Sequence, residues 1–405
     1  MGKPRITIVG ASLAGLRTAE ALAAALPEAH LTLVGDETHA PYNRPPLSKD
    51  TMEALAGGHA PADEVFAKLL LRSRLAATQV DLRLGAAATA IEGDTLRLSD
   101  GRVLRQDWIV AATGLRPRHL PQAGARDIRH VLRTFEDAQR LAGAMRRGAQ
   151  MVVIGAGFIG CEIAATARKL GLHVTLVEPA PQPMLNALGT RVAAAMATLH
   201  RKHGVSLMMG RMVQTIEAGR VVLDDGQALD TDIIVEALGS LPNTEWLAGS
   251  GADLTDGVLV DDRMVARGRP DLLAVGDIAR FANPLFDDVP RRIEHWCIPG
   301  QTARRAAETI AAALTGRQPA PGFAPMPSFW SDQHGMRVQA FGAPALAETQ
   351  TVVEGDLALI GEAPVIVEYA RAGRLIGVIG LGAPPAALAR HRARLDAALT
   401  PSVNA

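Results

Sequence analysis

The sequence has few of the features that mark secreted, metal-binding or membrane-spanning proteins. Its 405 residues include only two cysteines, Cys161 and Cys297, which are far apart and follow neither a C-x-x-C nor a metal-ligand spacing. This argues against a disulfide framework and fits a reducing cytoplasm. No run of about 18 apolar residues occurs, which argues against a membrane span. With 42 basic and 42 acidic residues the formal net charge is zero, which argues against nucleic acid as a bulk partner.

What the sequence does have is a glycine-rich turn between a short β-branched run and a helical pattern. Residues 6–20 read ITIVGASLAGLRTAE, which predicts a strand, a tight turn over 10–15 and a helix. Such a turn directs backbone N–H groups and the positive end of a helix toward a pyrophosphate. Gly10 and Gly15 permit close approach. Ser12 replaces the middle glycine of the G-x-G-x-x-G pattern, so an ordinary strand-to-helix turn is the alternative.

The same pattern returns in complete form later in the chain. Residues 151–171 predict a strand, a turn over 155–160 and a helix that ends at Gly171. The next predicted strand ends in Glu178, 23 residues after Gly155, which suits a hydrogen bond to a ribose 2′-hydroxyl. Two nucleotide sites imply two cofactors, for which a flavin and a nicotinamide are the usual pair. The candidates at the second site are Gly155, Gly157, Phe158, Ile159, Gly160 and Glu178.

Further candidate residues follow other predicted strands. Asp36 or Glu37, after the strand 31–34, is the candidate ligand for the ribose of the first nucleotide. Asp277 lies in the apolar stretch 271–279, where the strand is expected to end. Because parallel sheets bind ligands at the carboxyl ends of their strands, Asp277 is placed to reach a flavin ribityl hydroxyl, with a plain turn aspartate as the alternative.

A proline-rich loop, residues 39–49, reads HAPYNRPPLSK. Its prolines prevent a helix and hold Arg44 and Lys49 on a stiff segment. Two cations near a dinucleotide turn favour contact with a cofactor, and an ordinary solvated loop is the alternative.

Two similar stretches suggest where the chain passes between domains. The predicted strand 108–112 continues into Thr113 and Gly114, and the comparable stretch 235–243 contains Gly239. The second nucleotide unit is therefore predicted to be inserted into the first, from about residue 120 to 237. Other predicted features are an amphipathic surface helix over 63–75, a hairpin turn at 100–101, a helix N-cap at Thr134, a proline-rich linker over 319–327, a hairpin turn at 372–373 and a closing helix over 386–399.

Together these stretches resemble the NADH-dependent ferredoxin reductases of cytochrome P450 and Rieske-type oxygenase systems, a putidaredoxin reductase-like family. The resemblance covers nearly the whole chain and rests on VGASLAGL, VGDE followed by RPPLSK, ATGLRPR, VVIGAGFIGCE, LPNTEWL, AVGDIARF, RIEHW and FWSDQ. Several of these stretches are shared with apoptosis-inducing factor and with rubredoxin reductases. The resemblance implies an α/β fold with two Rossmann-like domains, the second inserted in the first, and a small α+β C-terminal domain. The implied boundaries are 1–118 with 240–318 for FAD, 119–239 for NAD, and 319–405.

The resemblance also implies roles for single residues. Lys49 pairs with Glu162 beside the isoalloxazine and stabilises the reduced ring, and Trp296 and Trp330 cover the flavin, with ordinary core packing as the alternative for the tryptophans. The residues implied to contact FAD are Ala14, Asp36, Lys49, Arg133, Asp277 and Trp296. The cofactor-binding candidates also include Gly10, Ser12, Gly15, Arg44, Thr113 and Gly239.

The function implied by this resemblance is a ferredoxin reductase that transfers a hydride from NADH to FAD and then single electrons to an iron-sulfur ferredoxin. A flavin disulfide reductase is disfavoured because the stretch 42–49 has no cysteine. An NADH oxidase and a redox-sensing interaction protein of the apoptosis-inducing-factor kind stay open as alternatives.

The expected partner is an acidic ferredoxin. Four arginines near Trp296 are candidates for docking it, and solvated faces or intramolecular ion pairs are the alternative. They are Arg291, Arg292, Arg304 and Arg305. The protein is expected to be a cytoplasmic monomer or weak dimer.

Overall fold

The computed structural model describes residues 2–58, 60–76, 78–318, 320 and 322–400. These residues form two compact units. The first unit comprises Met1–Asn43, Leu70–Arg116 and Leu241–Pro327, and the second comprises Arg44–Leu69, Pro117–Ser240 and Ser328–Ala405. The division into three domains stays a prediction. Pro319 and Pro321 of the predicted linker lie outside the described residues, as do residues 401–405 of the predicted C-terminal domain.

The helices and strands have the following bounds in the described residues. The α-helices are α1 Leu13–Ala25, α2 Asp50–Gly57, α3 Ala62–Ala67, α4 Phe135–Ala144, α5 Phe158–Lys169, α6 Leu185–Lys202, α7 Ile298–Thr315 and α8 Pro385–Leu399. Short 3₁₀ helices span Pro45–Ser48, Glu245–Leu247, Gly276–Ile278, Pro344–Leu346 and Leu357–Leu359. No helix in this part of the chain has both the length and the apolar composition needed to cross a membrane.

The strands are β1 Arg5–Val9, β2 His30–Val34, β3 Asp81–Arg83, β4 Ala88–Glu92, β5 Thr95–Leu98, β6 Val103–Arg105, β7 Trp108–Ala111, β8 Leu115–Pro117, β9 Arg129–His130, β10 Gln150–Ile154, β11 His173–Glu178, β12 Val205–Met209, β13 Val213–Glu217, β14 Arg220–Leu223, β15 Ala228–Asp230, β16 Ile233–Glu236, β17 Ser240–Pro242, β18 Val258–Leu259, β19 Val265–Ala266, β20 Arg269–Ala274, β21 Ala279–Asn283, β22 Asp287–Arg292, β23 Ser328–Gln333, β24 Met336–Gly342, β25 Thr349–Glu354, β26 Val365–Arg371 and β27 Arg374–Leu381.

The first unit is built on a sheet with the strand order β19-β20-β7-β1-β2-β3. All neighbours in it are parallel except β19 and β20. Ile6, Ile8, Ile109 and Leu272 are fully buried, as expected where a parallel sheet is covered on both faces. Helices α1 and α7 pack against each other. This unit also contains two smaller sheets, β18-β21-β22 and β4-β5-β6.

The second unit contains a parallel sheet of order β12-β11-β10-β16-β9 and an antiparallel sheet of order β23-β24-β27-β26-β25. Helix α4 starts as predicted, because Thr134 and Asp137 form a capping box. The hairpin turn between β26 and β27 was also predicted correctly. Its residues Ala372 and Gly373 both have positive φ, 48° and 76°, which matches a type I′ turn. Helix α8 packs on β27.

The prediction of a helix over 63–75 was wrong in length. Helix α3 covers only Ala62–Ala67. Beyond it the backbone pairs with an earlier segment: Tyr42 and Leu70 form an isolated antiparallel bridge, and Leu71 N–H donates to the Pro41 carbonyl at 3.0 Å. This pairing ends the helix, although the cationic side chains beyond it are exposed as expected.

Candidate functional site

The first glycine-rich turn has no room for side chains at its two outer positions. Gly10 has φ +118°, and a Cβ there would lie 2.2 Å from the Ala112 carbonyl oxygen. A Cβ on Gly15 would lie 1.9 Å from the Gly10 carbonyl oxygen. Ser12, at the N-cap of α1, is extended and its side chain makes no capping hydrogen bond. The start of α1 is therefore held tightly against the end of β1, with its N-terminal N–H groups at the turn.

The strand register aligns this turn with three other strand ends. Val9 pairs with Val34 on β2 and with Ala111 on β7, and Ala111 pairs with Ala274 on β20. Because these strands are parallel, their carboxyl ends lie level at one edge of the sheet. The segments that follow contain the predicted residues Asp36, Thr113 and Asp277. The structure thus brings these three candidate FAD residues of the first unit to a common edge of the sheet.

These three residues differ in how the protein uses them. Asp36 is exposed and accepts the Glu37 N–H at 3.0 Å. Thr113 donates its hydroxyl to the Asn243 carbonyl at 2.7 Å, and the Asn243 amide donates back to the Thr113 carbonyl at 3.0 Å. Thr113 is therefore held by the LPNTEW stretch, a contact that the sequence did not predict. Asp277 lies in the 3₁₀ helix that follows β20.

Helix α7 supports the segment of Asp277. Gly276 has φ +70°, its N–H donates to Thr302 Oγ1 at 2.9 Å, and a Cβ on it would lie 2.8 Å from the Cβ of Ala14. Ala14, predicted to contact FAD, thus packs against the end of β20. Trp296 lies in the turn before α7 and is half-buried. Burial lowers the pKa of the adjacent His295 to about 4, so this ring is neutral at pH 7.

The second turn repeats the geometry of the first. Gly155 has φ +100°, and a Cβ on it would lie 2.3 Å from the Ala237 carbonyl oxygen. A Cβ on Gly160 would lie 2.0 Å from the Gly155 carbonyl oxygen. Nothing lies within 4 Å of the Cβ position of Gly157. Helix α5 begins at Phe158, and Ile159 is 49% exposed.

Glu178 lies at the carboxyl end of β11, beside this turn. One carboxylate oxygen accepts the Ala156 N–H at 2.8 Å and the other accepts the Ala180 N–H at 3.0 Å. Each carboxylate oxygen has two acceptor positions, so both keep capacity for a ribose hydroxyl. Gly239, after β16, has φ +84° and open space around its Cβ position.

Lys49 and Glu162 form a buried ion pair, as the family resemblance implied. The distance from Lys49 Nζ to Glu162 Oε2 is 2.6 Å, and the two side chains are 15% and 8% exposed. Lys49 Nζ also donates to the Pro45 carbonyl at 3.0 Å. Two serines, which the sequence did not predict, also donate hydrogen bonds to the Glu162 carboxylate. Ser48 Oγ donates to Oε2 at 2.5 Å and Ser331 Oγ to Oε1 at 2.6 Å.

The other candidates of the second unit lie on neighbouring segments. Arg44 Nη1 donates to the Arg133 carbonyl at 2.8 Å, and Arg133 N–H donates to Asp137 at 2.9 Å. Trp330 lies on β23 and is 36% exposed. Its neighbour Phe329 packs on Phe158 at the start of α5, with ring centroids 4.9 Å apart.

Arg305 was wrongly predicted as a docking residue. Its side chain is 4% exposed, and its guanidinium donates to the carbonyls of Asp262 at 2.8 Å and Ala320 at 2.6 Å. A buried guanidinium held by the protein's own backbone is not available to a partner. The helical period indicates this, because Arg305 shares a face of α7 with the buried residues Thr302 and Thr309.

Of the other three docking candidates, two form ion pairs within the chain and one is exposed. Arg291 pairs with Asp287 at 2.5 Å, and Arg292 pairs with Asp256 at 2.8 Å and with Glu294 at 2.5 Å. These two arginines therefore follow the alternative of intramolecular ion pairs. Arg304 is exposed.

The buried cysteine of the second unit is unsuited to redox chemistry. Burial raises the pKa of the Cys161 thiol, which donates to the Ala156 carbonyl at 3.5 Å. The reactive form of a cysteine is the thiolate, so this thiol is inert near neutral pH. Neither Cys161 nor Cys297 forms a disulfide.

Comparisons with known proteins identify families and relatives that match most of this chain. A family described as pyridine nucleotide-disulphide oxidoreductase matches residues 4–306, and one described as reductase C-terminal matches residues 328–404. Putidaredoxin reductase CamA of Pseudomonas putida is 35% identical over 94% of this chain and 89% of its own length. The ferredoxin--NAD(+) reductase component of the anthranilate 1,2-dioxygenase system of Burkholderia cepacia is 36% identical over 88% of this chain and 86% of its own length.

A solved structure also matches nearly the whole chain. The crystal structure of the covalent putidaredoxin reductase-putidaredoxin complex has a TM-score of 0.87 and 32% identity, and covers 98% of this chain and 93% of the matched chain. The chain therefore belongs to the pyridine nucleotide-disulphide oxidoreductase family and, within it, to the ferredoxin--NAD(+) reductases similar to putidaredoxin reductase.

Proposed function

We propose that this protein is an FAD-dependent ferredoxin--NAD(+) reductase that supplies an iron-sulfur ferredoxin of a P450 or other oxygenase system. The observation that carries this proposal is the pair of glycine-rich turns, each packed closely at the carboxyl ends of parallel strands in its own sheet. The relatives named above are reductases of this kind. When bound, FAD accepts two electrons as a hydride from NADH and passes them on singly, which links a two-electron donor to a one-electron acceptor.

The first unit fits the dinucleotide part of FAD. The turn at 10–15 directs the start of α1 toward the proposed position of the pyrophosphate. Asp36 follows β2 and Asp277 follows β20, two strands whose carboxyl ends are level with that of β1. Arg44, Arg133, Thr113 and Trp296 are proposed as further contacts. We propose that the turn at 155–160, Glu178 and Gly239 bind NADH.

Lys49 is proposed as the cation beside the isoalloxazine, with Glu162 as its partner. The pair is largely desolvated, so removing one member leaves an unpaired buried charge, at a cost of about 3–5 kcal/mol. No side chain acts as acid or base in this proposal. Trp296 and Trp330 are proposed to exclude water and oxygen from the ring.

The test of the proposed function uses the purified full-length chain. We expect a yellow protein with one FAD per chain, and NADH-dependent reduction of an added [2Fe-2S] ferredoxin that is much faster than NADH consumption in air without it. A colourless protein that releases no flavin on denaturation contradicts the cofactor assignment. Equal NADH consumption with and without the ferredoxin favours the NADH oxidase instead.

For docking, we propose that Arg304 contributes to an attraction for an acidic ferredoxin. Such rim charges act mainly on the association rate and are screened by salt, with a Debye length of about 8 Å at physiological ionic strength. Arg304→Glu should raise the KM for the ferredoxin and flatten its salt dependence, while reduction of ferricyanide by NADH is unchanged. The matched control is Arg201→Glu, the same charge change at an exposed arginine of the other unit. Equal KM values for the two variants refute the role of Arg304.

The cellular location and the oligomeric state are also proposals. The location is proposed to be the cytoplasm, in keeping with two cysteines that form no disulfide. The protein is proposed to act as a monomer or weak dimer.

A further inference from the structure

A chain of buried polar side chains leads away from Glu162 within the second unit. Ser331 Oγ donates to Glu162 Oε1 at 2.6 Å, and Gln333 Nε2 donates to Ser331 Oγ at 2.9 Å. Gln333 Oε1 lies 2.9 Å from His200 Nε2, and His200 Nδ1 lies 3.0 Å from His334 Nε2. Ser331, Gln333 and His200 are at most 1% exposed. Bulk water therefore does not replace these hydrogen bonds when one is broken.

The carboxylate fixes the direction of every hydrogen bond in this chain. An ionised Glu162 can only accept, so Ser331 must give its single hydrogen to Oε1. Ser331 Oγ then accepts from the amide nitrogen of Gln333, which turns the Gln333 oxygen toward His200. His200 therefore has its proton on Nε2, and its Nδ1 accepts from His334.

The histidines are in the protonation state that this direction requires. Burial lowers the pKa of His200 to about 4. Burial, helped by the neighbouring His200, lowers the pKa of His334 to about 3. Both rings are neutral at pH 7, so each has one donor and one acceptor. The His334 ring also stacks on His203, with ring centroids 4.3 Å apart.

We infer that Gln333 is a positioning residue for the Lys49–Glu162 ion pair. Its amide holds the Ser331 hydroxyl on Oε1, so the carboxylate keeps Oε2 turned to Lys49 Nζ at 2.6 Å. Without the Gln333 amide, the Ser331 hydroxyl loses the donor that orients it and holds Oε1 less firmly, so the carboxylate is fixed only at Oε2, by Ser48 and Lys49. This inference rests on the proposed function, in which Lys49 acts beside the flavin.

The test follows the reduction of bound FAD by NADH in a stopped-flow instrument without ferredoxin. Gln333→Met keeps the length of the side chain and removes its amide, and Ser331→Ala removes a single oxygen. Each variant should lower the limiting rate about 10-fold with little change in the Kd for NADH, because geometry is lost and binding is not. Since both residues act through one hydrogen bond to Glu162, the double variant should be no slower than the slower single variant.

The matched control is Gln350→Met, on β25 of the same sheet. The Gln350 amide donates to the Leu188 carbonyl at 2.7 Å and accepts the Arg191 N–H at 3.0 Å, contacts that do not involve Glu162. This variant should lower the Tm and leave the limiting rate unchanged.

Three results overturn the inference: a wild-type rate in Ser331→Ala, equal slowing by Gln333→Met and Gln350→Met, or single effects that multiply in the double variant. Ser331→Ala alone decides the matter if Gln333→Met does not fold. A wild-type protein that NADH reduces but that passes no electrons to a ferredoxin refutes the proposed function and leaves this inference standing.

Discussion

The two glycine-rich turns have glycine at the same outer positions, where the fold requires it. They differ at the middle position, where the fold does not require it. At the outer positions, a Cβ would lie 1.9–2.3 Å from a backbone oxygen in both turns. No real Cβ contact is that short, so the fold itself demands Gly10, Gly15, Gly155 and Gly160. The middle position is Ser12 in the first turn and Gly157 in the second, and around Gly157 the protein leaves open space. We therefore expect the middle glycine of the second turn to serve the nucleotide rather than the fold.

The acid after the second strand differs as well. Glu178 is fixed by the Ala156 and Ala180 N–H groups and thus belongs to the second turn. In the first unit, the two candidate acids have different surroundings. Asp36 is exposed, whereas Glu37 accepts the Tyr42 hydroxyl at 2.6 Å. In the second turn, the candidate acid is therefore held by the backbone of the turn itself, at Ala156.

The largest effects should come from the helix glycines. Gly15→Ala and Gly160→Ala should each force a helix away from its strand. This should lower the free energy of unfolding by about 1–3 kcal/mol. Gly15→Ala should lose FAD, whereas Gly160→Ala should keep FAD but be reduced by NADH at least about 100-fold more slowly. Flavin content and stopped-flow reduction measure the two outcomes. A yellow Gly15→Ala beside a colourless Gly160→Ala reverses the assignment of cofactors to turns.

The turns could be predicted from sequence because all of their parts are contiguous. The Lys49–Glu162 pair could not, since its members are 113 positions apart, and only the family resemblance suggested it. Ser331 and Gln333 share the buried face of β23 at the strand period of two, and Ser48 ends a 3₁₀ helix, but these polar side chains were missed because their partner Glu162 is far away in the sequence. Arg305 was misjudged because its charge was weighed without its place on the buried face of α7.

The next largest effect concerns the choice of nicotinamide. A 2′-phosphate at Glu178 would meet a carboxylate that the fold has fixed in place, so the wild type should prefer NADH to NADPH by about 100-fold in kcat/KM. Glu178→Gln removes the charge and keeps one acceptor oxygen for the Ala156 N–H, while its amide nitrogen cannot accept the Ala180 N–H. It should narrow the preference to about 10-fold. Comparable kcat/KM values for NADH and NADPH in the wild type place the ribose elsewhere.

A smaller effect is expected when the middle glycine of the second turn is made like the first. Gly157 has φ −75° and ψ −173°, a conformation open to any residue. Gly157→Ser should therefore leave the Tm and the FAD content unchanged. Because the nucleotide is proposed to occupy the open space at this position, the serine side chain should obstruct it, and the Kd for NADH should rise about 10-fold, or about 1.4 kcal/mol. A lower Tm with unchanged NADH binding shows that the glycine serves the fold.

The reciprocal change, Ser12→Gly, should have the smallest effect. Ser12 has φ −128° and ψ −160°, so its conformation does not need glycine, and its hydroxyl caps nothing. Replacing such an N-cap by glycine costs a few tenths of a kcal/mol at most. The Kd for FAD, measured by flavin fluorescence on the apoprotein, should change less than about 3-fold, which is under 1 kcal/mol. Binding at least about 10-fold weaker identifies the Ser12 hydroxyl as a ligand of FAD. Binding that is tighter by the same factor means that its side chain obstructs the pyrophosphate, and in either case the first turn is as ligand-specific as the second.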